Sequence, residues 1–291
     1  MEQEFVMTDT KQRKAAVTGA GSGLGRDIAL GLAARNYRVF GTAFAPDEIE
    51  DLNRASGGAV TLTVCDITDA IAVKNWAHDV ATHTEGSLDL LINNAGILTP
   101  GPLEILPLDA IRHEFEVNVF GALSVMNAFL PALRRARGRI VQISTFTASL
   151  PLPFNGASGA SKAATEVFAA VYRAELKHLG VDVVVVPAGI MRTGGPAKTD
   201  SAVARVAAEM TPEQRELYGQ TFAIFAEGLS AMQKGGLDSA SAARRVIEIA
   251  EQMPAPSRAA VGEDAEEILR FVREKSDAEQ DALRLKLVGL H

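Results

Sequence analysis

Six short apolar runs, each followed by a stretch with helical spacing, fill residues 14–186 of this 291-residue chain. That rhythm leaves few folds open. A strand that returns to a parallel neighbour needs a crossover of a dozen residues or more, and a helix crosses over while satisfying its own backbone. The last run identifies the sheet: residues 181–186 carry valine at five of six positions. A strand with one wet face alternates, and this one does not, so it predicts a central parallel strand covered on both faces. The other runs lie at 14–18, 37–43, 59–64, 88–93 and 139–144, with helices predicted at 23–35, from 46, from about 70, over 108–134 and over 158–178. The expected fold is α/β, a doubly wound parallel sheet.

After residue 193 the rhythm changes. Residues 194–235 hold two helical patterns with no strand between them and predict a helical lid over the site. A helix at 239–252, a short last strand at 259–261 and a helix from 265 follow. The expected organisation is a flexible segment at 1–13, one domain over 14–275, and a helical tail over 276–291 that packs on its own domain or across a partner subunit.

The stretch Thr18-Gly19-Ala20-Gly21-Ser22-Gly23-Leu24-Gly25 lies between a predicted strand and a predicted helix. Glycines there let the backbone turn sharply and approach a pyrophosphate, and the helix start offers free N–H groups and the positive end of its dipole. Gly19, Ser22, Gly23 and Leu24 are therefore candidate dinucleotide contacts. Asp66 and Ile67 follow the third strand, where a carboxylate and a backbone N–H can meet the polar edges of an adenine; Asp66 as the cap of the next helix is the alternative. Asn93, Ala95 and Gly96 close the fourth strand, where small side chains let a flat cofactor lie close. After the second strand, Thr42-Ala43-Phe44-Ala45 offers neither the acid that binds a free ribose nor the arginine that binds a 2′-phosphate. The missing acid tilts the expectation from NAD towards NADP.

Composition restricts partners more than chemistry. A net charge of −7 argues against nucleic acid or an anionic membrane as a partner. Cys65 is the one cysteine, so no intrachain disulfide forms and a reducing, cytoplasmic setting is expected. No unbroken run of 18 apolar residues predicts a membrane span, and the charged N-terminal segment does not read as a leader. The five histidines are scattered and predict no metal site.

Taken together, these pieces resemble the short-chain dehydrogenase/reductase family over nearly the whole chain. The glycine turn, Asp66, Asn93-Asn94-Ala95-Gly96, Asn118, Ser144 and Lys162 occur in the family's order and spacing. Gly101-Pro102-Leu103-Glu104, Phe129-Leu130-Pro131 and Val261-Gly262 look like its steroid- and retinol-dehydrogenase-like members. The resemblance implies a Rossmann fold, an NADP or NAD cofactor, and interconversion of an alcohol and a carbonyl on an apolar or mixed small molecule. It also implies a homodimer or homotetramer built on the two long helices.

Carried over by position, Asn118, Ser144 and Lys162 are catalytic candidates, and Lys162, Gly189, Ile190 and Thr193 are cofactor contacts at the nicotinamide end. The family's catalytic tyrosine falls on Ser158, in Ser158-Gly159-Ala160-Ser161-Lys162. An aliphatic hydroxyl is a far weaker acid than a phenol, whose ordinary pKa is near 10. Ser158 could instead cap its helix, and Tyr218 in the lid is a surrogate acid to consider. A redox-inactive cofactor-binding protein, or an isomerase or lyase on the same scaffold, are the competing readings.

Overall fold

The structure, a computed structural model, describes residues 12–192 and 195–290. Six parallel strands form one sheet: β1 (Arg13–Val17), β2 (Tyr37–Ala43), β3 (Val60–Val64), β4 (Leu90–Asn93), β5 (Arg139–Thr145) and β6 (Asp182–Ala188), in the order β3-β2-β1-β4-β5-β6. The order reverses between β1 and β4, which opens a crevice at their carboxyl ends, where doubly wound sheets bind ligands.

Each strand serves two cores. In β6, Val184 and Val186 face one layer while Val183 and Val185 face the other, which is why the valine run shows no alternation. The first layer holds α1 (Gly23–Ala33), α2 (Asp47–Ala55) and α9 (Ser239–Glu251), with Ile28, Leu32, Leu52 and Ile247 packed on the sheet. The second holds α3 (Ala70–His83), α5 (Ala122–Ala136) and α6 (Gly156–Leu176). There Trp76 meets Phe129 edge-on at 4.7 Å between ring centres. Each fully buried side chain of this size contributes about 1.5–3 kcal/mol.

The element expected over 108–134 is continuous but not uniform. α4 (Leu108–Phe115) widens into a π-helical turn at Glu116–Gly121 before α5. The whole element, Leu108–Ala136, is long and apolar enough to cross a bilayer by length and composition, yet half of its most apolar stretch is buried in the protein. Its apolar face is spent on Trp76, Val80 and the sheet.

The last strand expected at 259–261 is reduced to two isolated bridges, Val185 with Arg258 and Ala188 with Val261. Val185 N–H donates to Ser257 and Gly189 N–H donates to Val261, but Pro187 between them has no N–H to give. Ala259 and Val261 still donate to the Val185 and Pro187 carbonyls, so the ladder lacks the one bond that Pro187 would give.

Above the sheet, α7 (Gly195–Glu209) and α8 (Pro212–Gly235) form the lid. Thr211 and Gln214 close a reciprocal cap at the start of α8. The lid's base is closed by two short parallel strands, β7 (Met191–Arg192) and β8 (Leu237–Asp238). Phe154 stands edge-on to Phe222 and Phe225 at 5.4 and 5.5 Å and joins lid to sheet. After α10 (Glu263–Glu274), α11 (Asp277–Lys286) lies on its own chain: Arg284 donates to the Pro151 carbonyl at 2.9 Å, and Val288 is buried in the lid's apolar cluster.

Candidate active site

The turn after β1 is built for a close approach. Gly19 takes a φ of +64°, open to glycine and strained for other residues. A Cβ on Gly25 would lie 2.1 Å from the Gly19 carbonyl oxygen and 2.6 Å from Asn94 Nδ2, so no side chain fits. Thr18 Oγ1 accepts from the N–H groups of Asn94 and Ala95, both at 2.9 Å, and Asn94 Nδ2 donates to the Thr18 carbonyl at 3.0 Å. These bonds tie the glycine turn to the end of β4. Ser22 caps α1 without using its side chain, which leaves its hydroxyl facing the cleft.

A cleft of about 660 Å³ runs along this turn, lined by Gly19, Ser22, Leu24, Asp66, Ile67, Ala95 and Gly96 among others. Gly23 turns at its edge with a φ of +54°. Asn93 is in the core behind the cleft, donating to Ala122 O (3.1 Å) and Gln142 Oε1 (2.9 Å), and Asn94 takes the place in the wall. Asp66 is not a helix cap. Its Oδ1 takes the N–H and hydroxyl of Thr68, while Asp69 caps α3 through Ile71 and Ala72. The cap belongs to the residue directly before the helix, three positions on.

One acidic group in the cleft was not anticipated. Glu48, in the first turn of α2, lines it, and its Oε2 accepts from Phe44 N–H at 3.0 Å and Ala45 N–H at 3.4 Å.

The cleft opens past Leu24, Asn94, Gly96 and Ile97 into a second chamber of about 560 Å³. Here Ser144, Ser158 and Lys162 come together. Ser144 sits near the end of β5 with its Oγ buried and without a hydrogen-bond partner. Ser158 is 7% exposed and lies inside the first turn of α6, not at its cap. The cap position belongs to Asn155, because Phe154, at a φ of +60°, reverses the chain just ahead of it. Asn155 makes no side-chain cap bond either; its Oδ1 is buried, unpartnered, and in the chamber wall.

Lys162 stands one helical turn beyond Ser158. Its Nζ is 3.4 Å from the Ile143 carbonyl, and a Cβ on Gly96 would come within 3.0 Å of it. Enclosure by protein pulls its pKa down to about 8, although Glu114 and Glu166 hold it up in part. Glu114 is fully buried, and burial pushes its carboxyl up to about 7, against the Thr99 hydrogen bond and the Lys162 charge. Its oxygens accept from Thr99 N–H (2.9 Å) and Asn118 Nδ2 (3.3 Å).

Asn118 lies in the π-helical turn, a distortion often found at functional sites. Its Oδ1 accepts from Ile97 N–H at 2.8 Å and its Nδ2 donates to the Ile97 carbonyl and Ser161 Oγ, each at 3.0 Å. Its own carbonyl accepts from Thr165 Oγ1 at 3.0 Å. A polar chain thus connects Glu114, Asn118 and Ser161 behind the chamber.

At the far wall, Gly189 lines the chamber and Ile190 a smaller hollow of about 190 Å³ under the lid. The N–H of Ile190, expected to meet a nicotinamide amide, donates instead to Asp264 Oδ2 at 2.7 Å. Asp264 packs against Gly189 from the first turn of α10, an acid no local sequence signal pointed to. Thr193 lies outside the described residues. No tyrosine lines the chamber: Tyr218 donates to Glu104 at the lid's edge, Tyr172 to Asn127, and Tyr37 to Glu251. A further hollow of about 680 Å³ between α7 and α8 shares no residue with these sites. Among the described residues no cluster of metal ligands occurs.

The residues fit a dinucleotide. The glycine turn leaves a cradle that a Cβ would fill, and the unpartnered Ser144 hydroxyl faces the adjoining chamber. Fold and site together define a dinucleotide-binding protein of Rossmann type.

Comparison with known proteins narrows this class. The short chain dehydrogenase family matches residues 13–204, and the chain belongs to that family. It is 36% identical to human retinol dehydrogenase 5 over 179 residues, covering 61% of this chain and 56% of that protein. It is 31% identical to estradiol 17-beta-dehydrogenase 2 of Rattus norvegicus over 228 residues, 76% of this chain and 59% of that one. The chain thus spans less than two thirds of the length of these two relatives. Among solved structures, a short-chain dehydrogenase from Streptomyces avermitilis superposes with a TM-score of 0.75 at 27% identity, covering 96% of both chains. One from Burkholderia cenocepacia in complex with NADP reaches 0.71, also at 27% identity, covering 94% of this chain and 97% of that one.

Proposed function

We propose that this protein is an NAD(P)-dependent oxidoreductase that interconverts an alcohol and a carbonyl on an apolar or mixed small molecule, with turnover reduced by the serine at position 158. The observation that carries this reading is the convergence of Ser144, Ser158 and Lys162 in a chamber continuous with the dinucleotide cleft. The cofactor relation of the Burkholderia relative supports it.

A bound nicotinamide supplies the hydride donor or acceptor for the substrate carbon. The chain's own residues do the rest. Gly19, Ser22, Gly23, Leu24, Asp66, Ile67, Ala95 and Gly96 hold the dinucleotide, and Lys162 holds its nicotinamide ribose. Ser144 Oγ, otherwise unpartnered, donates to the substrate oxygen and polarises it. Asn118 fixes the ring of polar groups behind Lys162. Ser158 does not replace a phenol: its hydroxyl is too weak an acid, and its short side chain leaves room that water fills. The proton then moves through water held by Ser144, Ser158 and Lys162. Asn155 Oδ1 and Gln233 Oε1, both buried and unpartnered, and the apolar Leu98, Phe225 and Leu229 line the far end, which suits an apolar substrate with a polar group.

The exposed Val167, Phe168 and Val171 on α6 form the face on which two copies pair, in a homodimer or homotetramer. Light scattering of the purified chain tests this, and a monomer would reject it.

The test of function is Ser158→Tyr, assayed on a panel of alcohols and ketones. General acid–base catalysis contributes about 10²- to 10⁴-fold, and a gain in that range is expected. No gain, with dinucleotide binding retained, would favour the second reading, a cofactor-binding protein without redox turnover. The absence of any tyrosine from the chamber wall is the observation that keeps it open.

A further inference from the structure

The ribose end of the cleft contains a charge arrangement that the strand-end sequence does not announce. Two backbone N–H groups, those of Phe44 and Ala45, converge where β2 gives way to α2. Converging N–H groups at a helix start bind an anion. Here that place is taken from within the chain: Glu48 Oε2 accepts both, at 3.0 and 3.4 Å. The same oxygen lies directly over the glycine turn, 2.3 Å from where a Cβ of Gly21 would be. The carboxylate therefore stands between the turn and the strand end, where the adenosine ribose of a dinucleotide is held in this fold.

No cation lines the cleft beside it among the described residues. Asp66 is the second acid in the same cleft wall, and neither lysine nor arginine lines the cleft among the described residues; His113 and Cys65 are the remaining titratable groups there. Arg54, at the far end of α2, is exposed and does not line the cleft, and two arginines of the flanking α1 and β2 are committed elsewhere. Arg26 pairs with Asp51 at 2.7 Å, and the Arg38 guanidinium lies over the Phe40 ring, 5.5 Å from its centre.

We propose that Glu48 is the cofactor-selecting residue of this chain: it occupies the position a 2′-phosphate would require, and the cleft selects NAD over NADP. The tilt towards NADP taken from the missing acid at residues 42–45 is thereby reversed. The acid is present, but it is delivered five residues after the end of β2 by the first turn of α2. A free ribose presents hydroxyl donors that a carboxylate accepts. A 2′-phosphate presents like charge and competes for the same two N–H groups. This inference rests on reading the cleft as a dinucleotide site, not on redox turnover.

The test is direct binding to the full chain, by calorimetry, of NADH and NADPH and of the fragments 5′-AMP and 2′,5′-ADP. The wild type is expected to bind NADH at least about tenfold more tightly than NADPH, as like charge at this distance implies. Glu48→Gln is expected to tighten NADPH by about tenfold while weakening NADH by about threefold or less, and Glu48→Arg to prefer NADPH. The fragments follow the same order, which separates the ribose end from the nicotinamide end. Equal or tighter NADPH binding by the wild type, or a preference that Glu48→Gln leaves unchanged, would overturn the assignment. Binding of neither dinucleotide nor fragment to folded protein would overturn the dinucleotide reading and this inference together.

Discussion

The two ends of the cleft are made of different material. At the glycine-turn end the shape is set by backbone: Gly25 has no room for a side chain, and the Thr18 hydroxyl and Asn94 amide are spent on bonds to main-chain groups around the turn. At the other end the proposed chemistry rests on single side chains in an open chamber. Ser144 Oγ has no partner, and Lys162 Nζ has one long bond to a carbonyl. The first end is fixed by the fold and fails only if the backbone moves. The second can lose one group and leave the fold untouched. Ser158 shows this, since α6 runs on through it without a break.

Four experiments sharpen or break that contrast. The largest effect is expected from Ser158→Tyr, whose gain of about 10²- to 10⁴-fold corresponds to about 3–5 kcal/mol of barrier. Dinucleotide affinity, measured in the same variant, should change by less than about threefold, because the two ends are separately built.

Gly25→Ala attacks the other end. Forcing a methyl group against the Gly19 carbonyl should cost about 1–3 kcal/mol of stability, read from the urea midpoint. Calorimetry should show dinucleotide binding lost by about tenfold or more. A variant that binds normally would show that the turn has slack and would break the contrast.

The third concerns pH. Folding raises the Glu114 pKa from 4.5 to about 7, so the folded state holds that proton longer than the unfolded chain. Its contribution is fully present below pH 4.5 and is lost as pH rises through about 7. Glu114→Gln removes this slope and should gain about 1–3 kcal/mol on wild type between pH 5 and pH 8, by urea midpoints. Lys162 acts in the opposite sense and at higher pH, between about 8 and 10.5, where its lowered pKa makes stability rise. Parallel midpoints for wild type and variant across pH 5 to 8 would reject the buried-carboxyl account.

The smallest effect is expected from Ser144→Ala. In the present chain its turnover should fall by about tenfold or less, because the hydroxyl acts without its phenol neighbour. Placed on Ser158→Tyr, the same change should cost about 10²-fold, since groups acting as a unit are not additive.

Much of this was legible in the sequence, for a physical reason. The sheet follows from apolar runs at regular spacing, and the glycine turn from the steric demand of one strand–helix junction. Asn118, Ser144 and Lys162 could be placed through the family resemblance, which ties each to a particular helix or strand end. The rest depends on side chains arriving from elsewhere. Glu48 reaches the cleft at the end of β2 from the next helix, and Asp264 takes the Ile190 N–H from a helix 74 residues later. Glu114 reads as an ordinary helix acid until α4 is packed. The cap positions slipped for a related cause: a turn at Phe154 moved the start of α6 to Gly156, and Asp69 displaced Asp66 at α3. Local patterns predict that a helix begins, but competing polar residues within a few positions are chosen by how the chain enters.

The burial of Val288 in the lid's apolar cluster sets how α7 and α8 can move. A flap held only at its base swings freely; this one also shares its apolar cluster with Val288, from the segment that follows α11. Lifting α7 and α8 together would uncover Val288, so any such movement is expected to cost the burial of a side chain outside the lid itself. A fluorophore placed on α11 would then report each opening from a point well outside the reacting groups.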